Sequence, residues 1–218
     1  METTAWDGIF REGRDLYTVN QTPGVRVYGE TLRTVGSVEY RLWDPFRSKL
    51  AALLLKGASN ELFAGVRRVL YLGGAHGTTV SHLSDAWPRA MIFVVEKSPT
   101  SFAPLLALSR RRTNLYPLLA DAQLPERYLA DVGEVDFVYQ DVAQRNQAAI
   151  FVENARACLR PAGRGLLMLK VRSVTQRRPS VAIVRDARSE LVRGGCVVSG
   201  ETPLVPFSRE HVALALHR

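Results

Sequence analysis

Cysteine and lysine are both scarce in this chain. The two cysteines, Cys158 and Cys196, lie far apart in 218 residues and match no zinc spacing, so no metal site is expected. Each sits in an apolar stretch and is expected to be a reduced core residue. No apolar run approaches the length of a membrane span, and residues 1–7 lack the charged-then-apolar pattern of a signal peptide. The expectation is a cytoplasmic protein with no membrane partner. Also missing is a dinucleotide fingerprint. Counted from Gly73, its three glycine places hold Gly73, Ala75 and Thr78. No Gly-Lys-Ser/Thr follows, so a P-loop is excluded as well. There is no internal repeat and no low-complexity tract.

Only four of the 29 basic residues are lysine, at positions 49, 56, 97 and 170; the others are arginine. Guanidinium holds its proton near neutral pH, whereas an ammonium can release one where its surroundings disfavour charge. Lys49 and Lys170 therefore stand out as candidates for chemistry. The net charge of +8 favours an anionic partner such as nucleic acid.

Residues 1–45 alternate apolar and polar positions around turn signals and predict a small β domain, with strands at 15–19, 25–28 and 37–43. Ser48 is placed to cap a helix through Lys49 to Gly57. Residues 46–218 predict a second domain in which strands and helices alternate. Strands are expected at 68–73, 91–96, 115–119, 135–141, 164–171, 196–202 and 211–217, and helices at 78–86, 100–111, 144–159 and 180–193. Several strands are unbroken apolar runs, as when helices cover both faces of a sheet. The fold class is α/β, a doubly wound Rossmann-like sheet with a crevice at the strands' carboxyl ends. The last two strands have no helix between them and predict an antiparallel edge pair.

Val69 to Thr79 reads as a strand, a glycine turn and the opening of a helix. Glu96 ends the next strand, about 20 residues on, where an acid suits a ribose diol. Gly73 and Gly77 permit close backbone approach, and Thr78 and Thr79 offer hydroxyls and helix N-terminal amides. Those groups suit the carboxylate end of S-adenosylmethionine. Asp121 ends another strand, placed to accept the exocyclic amine of adenine, with Ala122 supplying an amide. Asp141 ends a central strand at the crevice.

These residues resemble fibrillarin. The likeness is carried by Val27-Tyr28-Gly29-Glu30, by Val38 through Ala52 (VEYRLWDPFRSKLAA), by Leu70 to Gly73 with Gly77 to His82, and by Asp141-Val142-Ala143-Gln144. It spans almost the whole chain in one order. No glycine–arginine tract is present, so the likeness is to the shorter archaeal form. The resemblance implies a Rossmann-like S-adenosylmethionine methyltransferase domain behind a small N-terminal β domain. It implies 2′-O-methylation of ribose in rRNA and tRNA within a box C/D guide ribonucleoprotein. The implied partners are the guide and target RNA, a Nop-domain scaffold protein and a kink-turn-binding, ribosomal-protein-like subunit.

Cofactor contacts are implied at Thr78, Thr79, Glu96, Lys97, Asp121, Ala122, Asp141 and Gln144, with Gly73, Gly77, Val142 and Ala143 beside them. A catalytic set of Lys49, Asp141, Lys170 and His211 is implied. The chain departs from the family in having Glu210 where Asp is usual, Gly74 and His76 in the turn, and Arg145 in place of proline.

Methyl transfer to a ribose hydroxyl needs alignment and a proton acceptor. Lys170 is expected to be that acceptor as a neutral amine, a form that a second ammonium at Lys49 would favour by repulsion. Asp141 would orient the lysines, and His211 would contact the ribose or its phosphate. Arg47, Arg172, Arg177 and Arg178 are expected to hold RNA phosphates, the last two in the loop 175–179. Trp43 is read as packing between the two domains, His82 as a helix residue, His76 as a turn residue and His217 as a tail residue. Two rival readings remain at this stage. One is a methyltransferase for a protein or small molecule; the other is a ribonucleoprotein subunit without catalysis.

Overall fold

The computed structural model describes residues 1–175 and 177–218, and Gln176 of the predicted RNA loop lies outside the described residues. The N-terminal unit is a five-stranded antiparallel sheet made of β1 (Glu2–Thr3), β2 (Ile9–Glu12), β3 (Asp15–Val19), β4 (Leu32–Val35) and β5 (Val38–Trp43), in the order β1-β2-β3-β5-β4. The strand expected at 25–28 is not formed. The Glu30 carboxylate folds back and accepts hydrogen bonds from the backbone of Val27 at 3.0 Å and Tyr28 at 2.8 Å, which bends that stretch into a loop. The partner of β5 is instead β4, joined to it through Gly36 at φ 61°, a left-handed turn that glycine adopts freely.

Next comes α1 (Lys49–Leu55), capped by Ser48, whose hydroxyl accepts from Ala51 N. A seven-stranded sheet follows, built from β6 (Arg68–Leu72), α2 (Thr78–Ala86), β7 (Met91–Glu96), α3 (Pro99–Ser109), β8 (Leu115–Leu119), α4 (Leu129–Val132), β9 (Val135–Gln140), α5 (Gln147–Cys158), β10 (Leu159–Lys170), α6 (Val171–Val174), α7 (Ser180–Arg193), β11 (Val197–Pro203) and β12 (His211–His217). Its order is β11-β12-β10-β9-β6-β7-β8. Strands β6 to β10 run parallel, and β12 and β11 close one edge as the expected antiparallel pair. The chain order reverses between β6 and β9, so the crevice for a ligand opens at the ends of those strands.

Alternation along each strand sends side chains to two cores. In β6, Val69 and Tyr71 join Leu50, Leu83 and Leu105 beneath α1, α2 and α3. Leu70 and Leu72 join Phe151, Ile183 and Leu191 beneath α5 and α7. Both Cys158 and Cys196 are buried and free, as expected.

The two units meet through a buried polar joint. Arg41 on β5 is fully buried and donates to Glu30, to Asp85 on α2 and, at 3.0 Å, to Ser81. Arg112 donates to Asp85 from the other side, at 3.2 Å from Nε. His82 on α2 is also fully buried. It stacks on Trp43 with centroids 4.9 Å apart, hydrogen-bonds Thr18 through Nδ1 at 2.8 Å and hydrogen-bonds Tyr28 through Nε2 at 2.8 Å. Trp43 thus packs between the units as expected, whereas His82 bridges them. Burial, then Arg41 and Arg112, hold its imidazole well below the ordinary range. No helix among the described residues is long and apolar enough to cross a membrane.

Candidate active site

A cavity of about 270 Å³ opens at the carboxyl ends of β6 to β9. Of the expected cofactor residues, Gly73, Glu96, Lys97, Asp121, Ala122, Asp141, Val142, Ala143 and Gln144 line it. They come from four strand ends because parallel strands all present their last residues to the same edge of the sheet. Gly77, Thr78 and Thr79 lie outside that lining. Gly77 opens α2 at φ 87°, and Thr79 is buried with its hydroxyl donating to Ser48 Oγ at 3.0 Å, tying α2 to the cap of α1.

Gly73 has φ 88°, and a Cβ there would overlap the carbonyl oxygen of Asp141. The glycine therefore lets two strand ends close on each other, which sets Asp141 at the cavity wall. Glu96 accepts from Ala75 N and from Ser98 N, both at 2.8 Å. Those two bonds fix its carboxylate in place and leave lone pairs for a diol. The Asp121 carboxyl is raised by burial, but the bonds from Gln123 N and Gln144 and the charge of Lys97 bring it below the ordinary value. A cavity bounded by two fixed carboxylates, Glu96 and Asp121, has acceptors for both ribose hydroxyls and an amine. This donor and acceptor set fits an adenosine-type cofactor.

The catalytic candidates gather at the β9 and β10 side of this cavity. Lys49 Nζ donates to Asp141 Oδ2 at 2.7 Å. Asp141 is thus shared between the cavity and the lysine. Burial raises its carboxyl, while Lys49 and then Lys170 pull it down. Lys170 and His211 are register partners on β10 and β12, so their side chains share one face of the sheet. His211 is pushed down to about 3, by burial first and then by the charges of Lys49 and Lys170. Its Nδ1 hydrogen-bonds Ser208 Oγ at 2.8 Å, which orients the neutral ring. Among the described residues, the Lys170 ammonium has neither a hydrogen bond nor an ion pair.

One positioning residue escaped the sequence reading. Gln147, at the start of α5, is buried, and it accepts from Lys170 N at 2.8 Å and donates to Lys170 O at 3.1 Å. Gln140 donates in turn to Gln147 O at 2.7 Å. This amide pair clamps the backbone of Lys170. The signal available was a polar side chain on an otherwise apolar helix face.

The predicted RNA arginines divide. Arg172 and Arg177 line a basin of about 780 Å³ together with Lys170 and Arg145. Arg172 also pairs with Glu210 at 3.4 Å. Arg178 faces away to Asp186, at 2.7 Å. Arg47 lies with its guanidinium 5.8 Å from the centre of the Tyr28 ring. His76 and His217 take no part in this site.

Comparison with known proteins shows the family and the fold. The family model described as Fibrillarin matches residues 2–217. A fibrillarin-like rRNA/tRNA 2′-O-methyltransferase of Methanothermobacter thermautotrophicus is 40% identical over 217 residues, covering 100% of this chain and 97% of that protein. The crystal structure of Aeropyrum pernix fibrillarin with natively bound S-adenosyl-L-methionine superposes with a TM-score of 0.89 at 39% identity, covering 99% of this chain and 96% of that one. A fibrillarin/Nop5p complex has a TM-score of 0.88 at 36% identity, covering 100% of both chains.

Proposed function

Because this chain belongs to the fibrillarin family, we propose that it methylates the 2′-hydroxyl of ribose in RNA with S-adenosylmethionine as methyl donor. Its RNA substrates are rRNA and tRNA, as the names of its relatives read. It works as the catalytic subunit of a box C/D guide ribonucleoprotein in the cytoplasm. There it binds a Nop-domain scaffold protein, guide RNA and a kink-turn-binding subunit. The observation that carries this reading is Asp141, which walls the cavity and holds Lys49 at 2.7 Å. One side chain thereby joins a cofactor-shaped space to a lysine cluster.

Bound S-adenosylmethionine supplies a methyl group already activated on a sulfonium. The task left to the protein is to place the hydroxyl in line and take its proton. Glu96 and Asp121, the latter bonded by Gln144, would hold the adenosine end, and Asp141 closes the cavity toward Lys49. Lys49, fixed by Asp141, orients the ribose. Lys170, clamped by Gln147 and without a carboxylate of its own, accepts the hydroxyl proton in its neutral amine form. His211, neutral and anchored by Ser208, offers a ring nitrogen to the sugar. Arg47, Arg172 and Arg177 attract the phosphates, which positions RNA without choosing a sequence, while Arg178, paired with Asp186, adds less. The choice of nucleotide falls to base pairing with the guide.

The division into units 1–45 and 46–218 is part of the same reading. The first unit is tied to α2 through the joint at Arg41 and His82, and α2 in turn is tied to the cap of α1 through Thr79 and Ser48.

The test is reconstitution of the particle with a box C/D guide, both protein partners and S-adenosylmethionine labelled on the methyl group. The expected result is label on the 2′-oxygen of the one nucleotide that the guide specifies. Label on protein or on a base, or no transfer with cofactor bound, would refute the assignment.

A further inference from the structure

Arg145 stands in the turn between two spaces. Its neighbour Gln144 lines the cofactor cavity, and Arg145 itself lines the basin beside Lys170. The basin sets four cationic side chains, Arg145, Lys170, Arg172 and Arg177, against one carboxylate, Glu210. That carboxylate is already engaged by Arg172 at 3.4 Å. Arg145 and Arg177 are exposed, and among the described residues neither guanidinium has an ion pair or a hydrogen bond. Thr175 adds a hydroxyl to the same wall. Its oxygen accepts from Arg177 N at 3.2 Å, which leaves its own proton free to donate.

Unbalanced positive charge around a concave space draws an anion. Among the described residues Val174 is the only apolar one in the lining, so a protein segment would find little to bury there. Guanidinium forks and a free hydroxyl suit the oxygens of a phosphodiester. On its far side Arg145 borders a narrow crevice with Asp186 and Glu190, but Asp186 is held by Arg178 at 2.7 Å. The sugar itself says which phosphate belongs in the basin. C2′ and C3′ are bonded neighbours, so a 2′-hydroxyl placed at Lys170 brings the phosphate on O3′ close behind it. The phosphate on O5′ hangs from C4′ through C5′, farther from that hydroxyl. Lys170 is both the proton acceptor and a wall of the basin.

From these relations we infer that the basin is the subsite for the phosphate on the 3′ side of the methylated ribose, with Arg145 and Arg177 as its ligands. The target strand then leaves the site in its 3′ direction past Arg145. The inference rests on the RNA methyltransferase reading given above. Backbone phosphates stay exposed in a duplex, so the contact is compatible with pairing to the guide. It fixes the register of the strand and carries no sequence information.

The experiment uses the assembled particle, a fluorescent target RNA paired to the guide, and S-adenosylmethionine labelled on the methyl group. One phosphate, on the 3′ or the 5′ side of the target nucleotide, is replaced by an uncharged methylphosphonate. Single-turnover rates at subsaturating target read transfer, and anisotropy reads target affinity. Arg145→Ala is expected to slow transfer about tenfold, the usual size of one hydrogen bond to a charged group. Its affinity for S-adenosylmethionine should stay unchanged. The 3′-methylphosphonate should slow the wild type at least as much, slow Arg145→Ala less, and slow the Arg145→Ala/Arg177→Ala double variant no further. The 5′-methylphosphonate should slow all three proteins alike. A wild-type rate in Arg145→Ala would overturn the subsite. So would full additivity of its loss with the 3′-methylphosphonate, which would mark a contact within the protein, such as one to Glu190. Non-additivity with the 5′-methylphosphonate instead would overturn the direction of the strand. Absence of methyl transfer by the wild type would refute the methyltransferase reading separately, with the same comparison made by anisotropy still deciding the subsite.

Discussion

Lys49 and Asp141, 92 positions apart, meet in a 2.7 Å hydrogen bond between Nζ and Oδ2. That bond commits Lys49 to a carboxylate and distinguishes it from Lys170, whose ammonium is unpaired among the described residues. Two lysines in one site therefore have different tasks.

Replacing Lys170 with arginine tests this division. The variant keeps a positive charge on a long side chain but cannot act as a neutral amine. Its kcat is expected to fall by roughly 10²- to 10⁴-fold, the usual contribution of a positioned acid–base group. The dissociation constant for S-adenosylmethionine, read by calorimetry, should stay within about twofold. Turnover close to the wild type would remove Lys170 from the proton transfer.

His211 gives a dependence on pH with a definite sign. Its value in the fold, about 3, lies below the ordinary 6.5, so the unfolded chain binds the extra proton first as pH falls. The stability linked to this residue is present in full above 6.5 and drains away as the pH drops toward 3. Melting temperatures of the His211→Gln variant should therefore fall less between pH 7 and pH 4 than those of the wild type. Parallel curves for the two proteins would show that the imidazole is not held neutral.

The polar joint predicts a large loss of stability from one substitution. Arg41→Met would leave the Glu30 and Asp85 carboxylates facing each other with one cation fewer, in a place closed to water. Breaking a buried pair in this way costs about 3–5 kcal/mol. The exposed pair Arg33–Glu12 is a control, because Arg33→Ala should cost about 1 kcal/mol or less. Urea denaturation of both variants measures the difference, and equal losses would contradict the account of the joint.

Salt should separate the arginines. Bare RNA is expected to bind weakly and with a steep loss of affinity as salt rises. Arg177, in the basin with Lys170, should contribute about 0.7 to the slope of log affinity against log salt for a single strand. Arg178 is already neutralised by Asp186 and should contribute less. Titrations of Arg177→Ala and Arg178→Ala with an RNA oligonucleotide compare the two slopes. A larger effect at Arg178 would reverse the assignment.

The seven-stranded sheet was legible because its strands are apolar runs and its glycine turn and acids recur at strand ends. The cavity lining from Gly73 to Gln144 followed for the same reason, since those positions are fixed by where strands stop. The misread stretch at 25–28 alternates like a strand, but a carboxylate five residues past Val25 captures its backbone, and no periodicity encodes that. Arg41 and His82 looked like ordinary positions in a strand and a helix. Their importance comes from being buried against each other's units, a fact of tertiary packing. Gln147 was hidden in the same way, because its partner is the backbone of a strand 23 residues further on.

The joint at His82 has a mechanical corollary. Thr18 and Trp43 of the N-terminal sheet, with Tyr28 of the loop beside it, grip one imidazole that α2 supplies. Such a contact opposes a hinge between the two sheets. Widening of the cavity must then come from the loops at the strand ends and not from motion between the units.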